Sequence, residues 1–131
     1  MQIDIGLERV EKILHVADIH IRNFKRHKEY RQVFRKLYKD AKQLPKNSLI
    51  YVAGDIVHTK TDISPELIEL TSEFLRKLAD IRPTIVITGN HDANLNNSSR
   101  LDALTPIIDN LNHPNLHYLK DSGIYRVCDI D

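Results

Sequence analysis

Residues 48–55, SLIYVAGD, decide the fold: a run of uncharged residues too short for a helix is stopped by Gly54 and followed at once by the carboxylate of Asp55. That reads as a buried strand with a polar residue at its end. The same arrangement occurs on either side. Upstream, Lys12 to Ala17 (KILHVA) reads as a buried strand with Asp18 and His20 directly after it. Downstream, Thr84 to Thr88 (TIVIT) is a third strand, stopped by Gly89 and followed by Asn90, His91 and Asp92. Residues able to bind metals or move protons thus fall at three strand ends.

Helical patterns separate the strands. From Arg26 to Gln43 the apolar positions Tyr30, Val33, Phe34, Leu37, Tyr38 and Ala41 repeat at the spacing of an amphipathic helix. Ser64-Pro65-Glu66 reads as an N-cap, a first-turn proline and an acid at the positive helix end. The helix they open is expected to bury Leu67, Thr71, Phe74, Leu75 and Leu78. Asn94 to Ser99 is a polar loop, Thr105-Pro106 is expected to cap and start a short helix to Leu111, and Asn115 to Leu119 and Ile124 to Ile130 read as further strands. Strands alternating with crossover helices predict a largely parallel α/β sheet, whose sites lie at the carboxyl ends of the strands.

The 131 residues fit one domain or a piece of one, and a composition of 41% hydrophobic and 28% charged residues is that of a soluble globular protein. No apolar run approaches the roughly 20 residues of a membrane span. Met1 to Val10 carry Asp4 and Glu8 where a signal peptide would have a basic and then an apolar segment. The lone Cys128 excludes an internal disulfide, so an intracellular setting, cytoplasm or nucleus, is expected. The net charge of +1 conceals a strong asymmetry. Between Arg22 and Lys46 ten Lys/Arg face only Glu29 and Asp40, a local balance of +8, while the rest of the chain sums to −7. A basic segment beside a carboxylate-rich site suits a polyanionic phosphate substrate, although a solvated helix face would carry the same charges.

In Asp18-x-His20, one residue separates two ligand types, so in an extended chain both point to the same side. Imidazole with carboxylate suits Mn, Fe or Zn better than Mg or Ca. Asp55 on its tight turn can bridge two ions with its two oxygens, or simply cap the turn. Asn90 offers a neutral oxygen, and His91 can protonate a leaving oxygen or stabilise developing charge while Asp92 fixes its tautomer. Two cations roughly 3.5 to 4 Å apart would neutralise an anionic phosphodiester and lower the pKa of a water between them.

D-x-H, G-D-x-x-H and G-N-H-D in this order resemble the calcineurin-like metallophosphoesterase superfamily. The resemblance implies that Asp18 and His20 bind the first of two divalent metal ions, that Asp55 bridges, that Asn90 binds the second, and that His91 acts on the phosphate with Asp92 behind it. Mn is the expected metal, with Fe, Zn or Mg as alternatives. The implied fold is the N-terminal half of a four-layer α/β/β/α sandwich, with residues 1–131 as the N-terminal portion of the domain. The later Gly-His and Gly-His-x-His motifs of the superfamily do not occur in this sequence. His113 and His117 do not replace them and are read as structural or surface residues.

Within the superfamily, His58 in Gly54-Asp55-Ile56-Val57-His58, Ser64-Pro65, and Arg100-Leu101-Asp102-Ala103-Leu104 resemble the SbcD-type DNA double-strand-break repair nucleases. That resemblance implies hydrolysis of DNA by a two-metal-activated water, with His58 beside the site and Arg22, Lys25 and Arg26 within reach of the substrate backbone. It implies DNA, an SMC-like ABC ATPase subunit and a second copy of the chain as partners, and no membrane. A phosphomonoesterase or cyclic-nucleotide phosphodiesterase of the same superfamily, and a non-catalytic truncated module, are the competing readings.

Overall fold

The computed structural model describes residues 3–22, 26–57, 64–87 and 104–127. Among the described residues, four strands and three helices alternate: β1 (Lys12–Val16), α1 (His27–Ala41), β2 (Ser48–Val52), α2 (Pro65–Ile81), β3 (Thr84–Ile87), α3 (Thr105–Leu111) and β4 (Leu116–Leu119). The strands form one parallel sheet in the order β1-β2-β3-β4. Because the order never reverses, crossovers of one hand place every helix on the same face. Strand parity separates the two faces. Ile50, Val52, Val86 and Leu116 join the helices in the main core, whereas Leu49 and Ile85 pack with Ile5 on the opposite side.

α2 is the central helix of the covered face. Ser64 accepts the Leu67 N–H at 3.1 Å and Pro65 occupies the first helical position, as its sequence predicts. All five expected residues are buried, together with Leu70 and Ala79. Phe74, wholly buried, packs on Phe34 of α1 with ring centroids 4.4 Å apart. The two helices are also clamped at their rim, where Glu73 accepts from Arg31 at 2.7 Å and lies 2.9 Å from Lys77. These partners, the Lys77 hydrogen bond foremost, hold the Glu73 carboxyl below the usual carboxylate range despite opposition from burial. Burial and the Glu73 charge push the neighbouring Tyr38 hydroxyl well up.

Several local expectations are corrected. β1 is a strand but is not buried: it lies at the end of the sheet, and Ile13, 59% exposed, and His15 stand on the face without helices. α1 is shorter than predicted, starting after a left-handed Arg26 and ending at Ala41. α3 is capped at Leu104, so that Thr105 already lies within it. Ile124 to Val127 belong to no named strand, although the Ile3 N–H donates to the Arg126 carbonyl at 2.8 Å. The rest of that predicted strand, Thr88, and the loop Asn94 to Ser99 lie outside the described residues.

His113 and His117 have structural positions. His113 Nε2 is 2.7 Å from Asp80 of α2, and its Nδ1 accepts the Asn115 N–H at 3.1 Å. His117 sits in β4, where burial depresses its pKa. No helix among the described residues is long and apolar enough to cross a membrane.

Candidate metal centre

The segments after β1 and β2 leave the sheet together and pair again in a single bridge. Val16 lies opposite Val52, and Ile21 lies opposite Val57, so the register is offset by 36 positions both before and after the excursion. Between these pairs the His20 N–H donates to the Asp55 carbonyl at 2.9 Å, and the Ile21 N–H donates to the Ile56 carbonyl at 2.7 Å. Ile21, Ile56 and Val57 are buried beneath the excursion and pin it to the core.

This paired excursion carries three of the predicted ligands. One donor atom each from Asp18, His20 and Asp55 lies within 4.8 Å of the others, and His20 Nε2 is 3.7 Å from Asp18 Oδ1. Metal–ligand bonds of roughly 2.0 to 2.2 Å bring two donors on one ion to within about 4 Å of each other. Small side-chain rotations would therefore close the set on an ion. Two carboxylates and an imidazole are also the donor chemistry of a divalent transition-metal site. The residues fit the group.

Their backbone is unusual. Asp18, His20 and Asp55 adopt φ of 54°, 51° and 51°, and Gly54 adopts 82°. Positive φ is uncommon outside glycine, less so for Asp and His, and left-handed backbone costs an ordinary residue about 1 to 2 kcal/mol. Glycine satisfies the requirement at 54; at the three ligand positions the surrounding contacts must impose it. One such contact comes from α1, where the Tyr30 hydroxyl donates to the His20 carbonyl at 2.7 Å. The sequence marked Tyr30 only as an apolar-face residue. Its place in the first turn after the Asp-x-His segment was the available signal, and the hydrogen bond needed the structure.

The remaining predicted residues divide cleanly. Arg22 and Arg26 are exposed and flank residues 23–25, which join the excursion to α1. Arg26 has φ 58° and lies 3.9 Å from Glu29. Lys25, His58, Asn90, His91 and Asp92 lie outside the described residues, as does the stretch from Arg100 to Ala103.

Comparison with known proteins agrees with this geometry. The chain is 49% identical over 130 residues to an uncharacterized protein of Acanthamoeba polyphaga mimivirus, an alignment covering 97% of this chain and 10% of that relative. The chain therefore spans about one-tenth of the length of the curated relative it matches. A family described as calcineurin-like phosphoesterase matches residues 11–130, from the start of β1 through every element that carries or supports the excursion. With nearly the whole chain matched and the candidate ligands of Asp-x-His and Gly-Asp gathered at adjacent strand ends, this protein belongs to the calcineurin-like phosphoesterase family.

Proposed function

We propose that this chain is the N-terminal portion of a metal-dependent DNA nuclease domain of the SbcD type. The observation that carries the reading is the convergence of Asp18, His20 and Asp55 on one paired excursion at the carboxyl end of the sheet. Asp18 and His20 would hold one divalent ion and Asp55 would reach towards a second, with Asn90 as the further ligand supplied from the end of β3. Ions held there would act as Lewis acids on the phosphate and lower the pKa of an attacking water.

The chain's own residues do the rest. The shared hydrogen bonds of the two loops and the Tyr30 hydroxyl hold the backbone of Asp18, His20 and Asp55 in place. His91, oriented by Asp92, would give a proton to the leaving oxygen. Arg22, Lys25 and Arg26 would engage the substrate backbone with His58 beside them. DNA as substrate is supported by the +8 segment that begins at Arg22 and by the resemblance of residues 54–58, Ser64-Pro65 and 100–104 to that nuclease group. The same resemblance supports a homodimer, an SMC-like ABC ATPase partner, Mn as the metal and an intracellular location for the whole protein.

The test is Mn²⁺ titration of the chain by calorimetry, with hydrolysis of duplex DNA, bis-p-nitrophenyl phosphate and p-nitrophenyl phosphate followed in parallel. The expected result is weak Mn²⁺ binding and little hydrolysis by this chain, which lacks the later Gly-His and Gly-His-x-His motifs, with the binding lost in Asp55→Asn and DNA cut in preference to the small esters by a version extended past residue 131. Hydrolysis of the monoester alone would replace the nuclease with a phosphomonoesterase, and absence of ion binding would favour a non-catalytic module.

A further inference from the structure

α1 keeps its acids off one side. At about 100° per residue, Lys28, Arg35, Lys39 and the C-cap residue Lys42 fall on one stripe, and all four are exposed. The stripe lies on the flank facing α2, the side from which Arg31 reaches Glu73. Both acids of the helix, Glu29 and Asp40, fall on the other flank, towards the edge strand β1, where they share the surface with Lys36, Arg26 and the exposed Val33. None of the four cations makes an ion pair with a described residue, whereas Arg31 and Lys77 beside them are both paired with Glu73. A face evolved only for solubility would mix its signs or pair them along the helix.

The direction of the stripe matters as much as its charge. α1 joins the carboxyl end of β1 to the amino end of β2, so its first turn stands at the candidate metal centre and its last at the far end of the sheet. The Tyr30 hydroxyl ties that first turn to the His20 carbonyl. The row of cations is thereby held in fixed relation to the ligands and leads away from them for about 20 Å.

We infer that the α2-facing flank of α1 is a backbone track for nucleic acid, on which Lys28, Arg35, Lys39 and Lys42 neutralise phosphates along a strand whose scissile bond lies at the metal centre. One strand of a duplex advances about 3.4 Å per base pair, so the track matches about six base pairs. Contacts of this kind fix register and orientation without reading sequence. The inference rests on the nuclease reading for the position of the scissile bond, and it adds a contact surface remote from the residues that hold metal.

The experiment measures anisotropy of a labelled duplex against NaCl concentration for the wild-type chain and for the triple variant Arg35→Gln/Lys39→Gln/Lys42→Gln. These three positions are far from the ligands, and circular dichroism checks that the variant is folded. The expected result is weaker DNA binding, with the slope of log affinity against log salt shallower by about three, and unchanged Mn²⁺ binding. The variant Glu29→Gln/Asp40→Asn raises net charge on the other flank and is expected to change DNA affinity by less than twofold. Unaltered DNA affinity and slope in the triple variant would overturn the track even if Mn²⁺ binds and phosphodiesters are cleaved. Tightening by the flank variant as large as the triple variant's loss would reduce the effect to net charge and overturn it too. So would displacement of DNA by polyglutamate as effective as by unlabelled DNA at equal charge. Stripe-dependent DNA binding without Mn²⁺ binding would instead preserve the track and remove the nuclease reading.

Discussion

In α2 and β2, the buried hydroxyls of Ser48 and Thr71 aside, local preference agrees with burial, whereas in the paired loops that follow β1 and β2 it is overridden. Ser64 and Pro65 start α2 as isolated helices prefer to start, and its apolar residues other than the exposed Ile68 join the core. A few residues away, Asp18, His20 and Asp55 hold left-handed backbone that none of them would choose alone. The contrast teaches that the helix-covered core supplies the stability with which the ligand loops are held in place. Strain of this kind persists only where neighbouring structure over-determines it, here through the buried Ile21, Ile56 and Val57 and the Tyr30 hydrogen bond.

The contrast can be broken at the core first. Phe74→Ala removes a wholly buried ring stacked on Phe34 and is expected to cost about 3 to 5 kcal/mol in chemical denaturation. Where the folded state still dominates, its Mn²⁺ affinity should be unchanged, since Phe74 touches no ligand. Tyr30→Phe keeps the ring against Phe34 but deletes the bond to His20, with an expected loss of about 0.5 to 1.5 kcal/mol. Unlike Phe74→Ala, it should also weaken Mn²⁺ binding, which calorimetry reads directly. Equal Mn²⁺ affinity in Tyr30→Phe and wild type would show that the helix does not brace the loop.

Asp18→Gly sharpens the comparison with the opposite sign. A glycine accepts φ of 54° without strain, so thermal unfolding should show stability unchanged or raised by up to about 1 kcal/mol. Mn²⁺ binding should fall at least tenfold, separating the ligand's contribution to function from its effect on the fold. The smallest effect concerns acid. Glu73 and His117 both have pKa values below their ordinary ones, so each favours folding above its unfolded pKa and loses that contribution as pH falls through the folded value. Stability should therefore decline below about pH 6.5 as unfolded His117 takes up a proton, and further through the carboxylate range. Glu73→Gln should cost under about 1 kcal/mol at neutral pH, with the difference from wild type vanishing in acid.

Much of this arrangement was legible in the chain because apolar spacing reports which residues must be buried. SLIYV, TIVI and the α2 pattern were read correctly, and so was the placement of Asp18, His20 and Asp55 at strand ends. The exposure of β1 was not legible. Lys12 and His15 make KILHV less apolar than SLIYV or TIVI, but its rank at the end of the sheet depends on pairings that local sequence does not encode. Nor could Thr105 be separated from Leu104 as the α3 cap, since Pro106 fits either of the first two helical positions. The left-handed ligand conformations were hidden because Asp and His carry no marker of the kind Gly54 does. The role of Tyr30 was hidden because the same side chain serves the apolar face and the loop.

The constant offset of 36 positions across the metal loops has an evolutionary consequence. The two loops are equal in length because Val16 faces Val52 and Ile21 faces Val57, so a residue inserted into one alone would displace the Ile21–Val57 bridge or have to be absorbed as a bulge. Lineages descended from this arrangement should change loop length in matched pairs, one residue in each, or not at all. Two segments more than thirty positions apart in the chain are in that sense a single heritable unit.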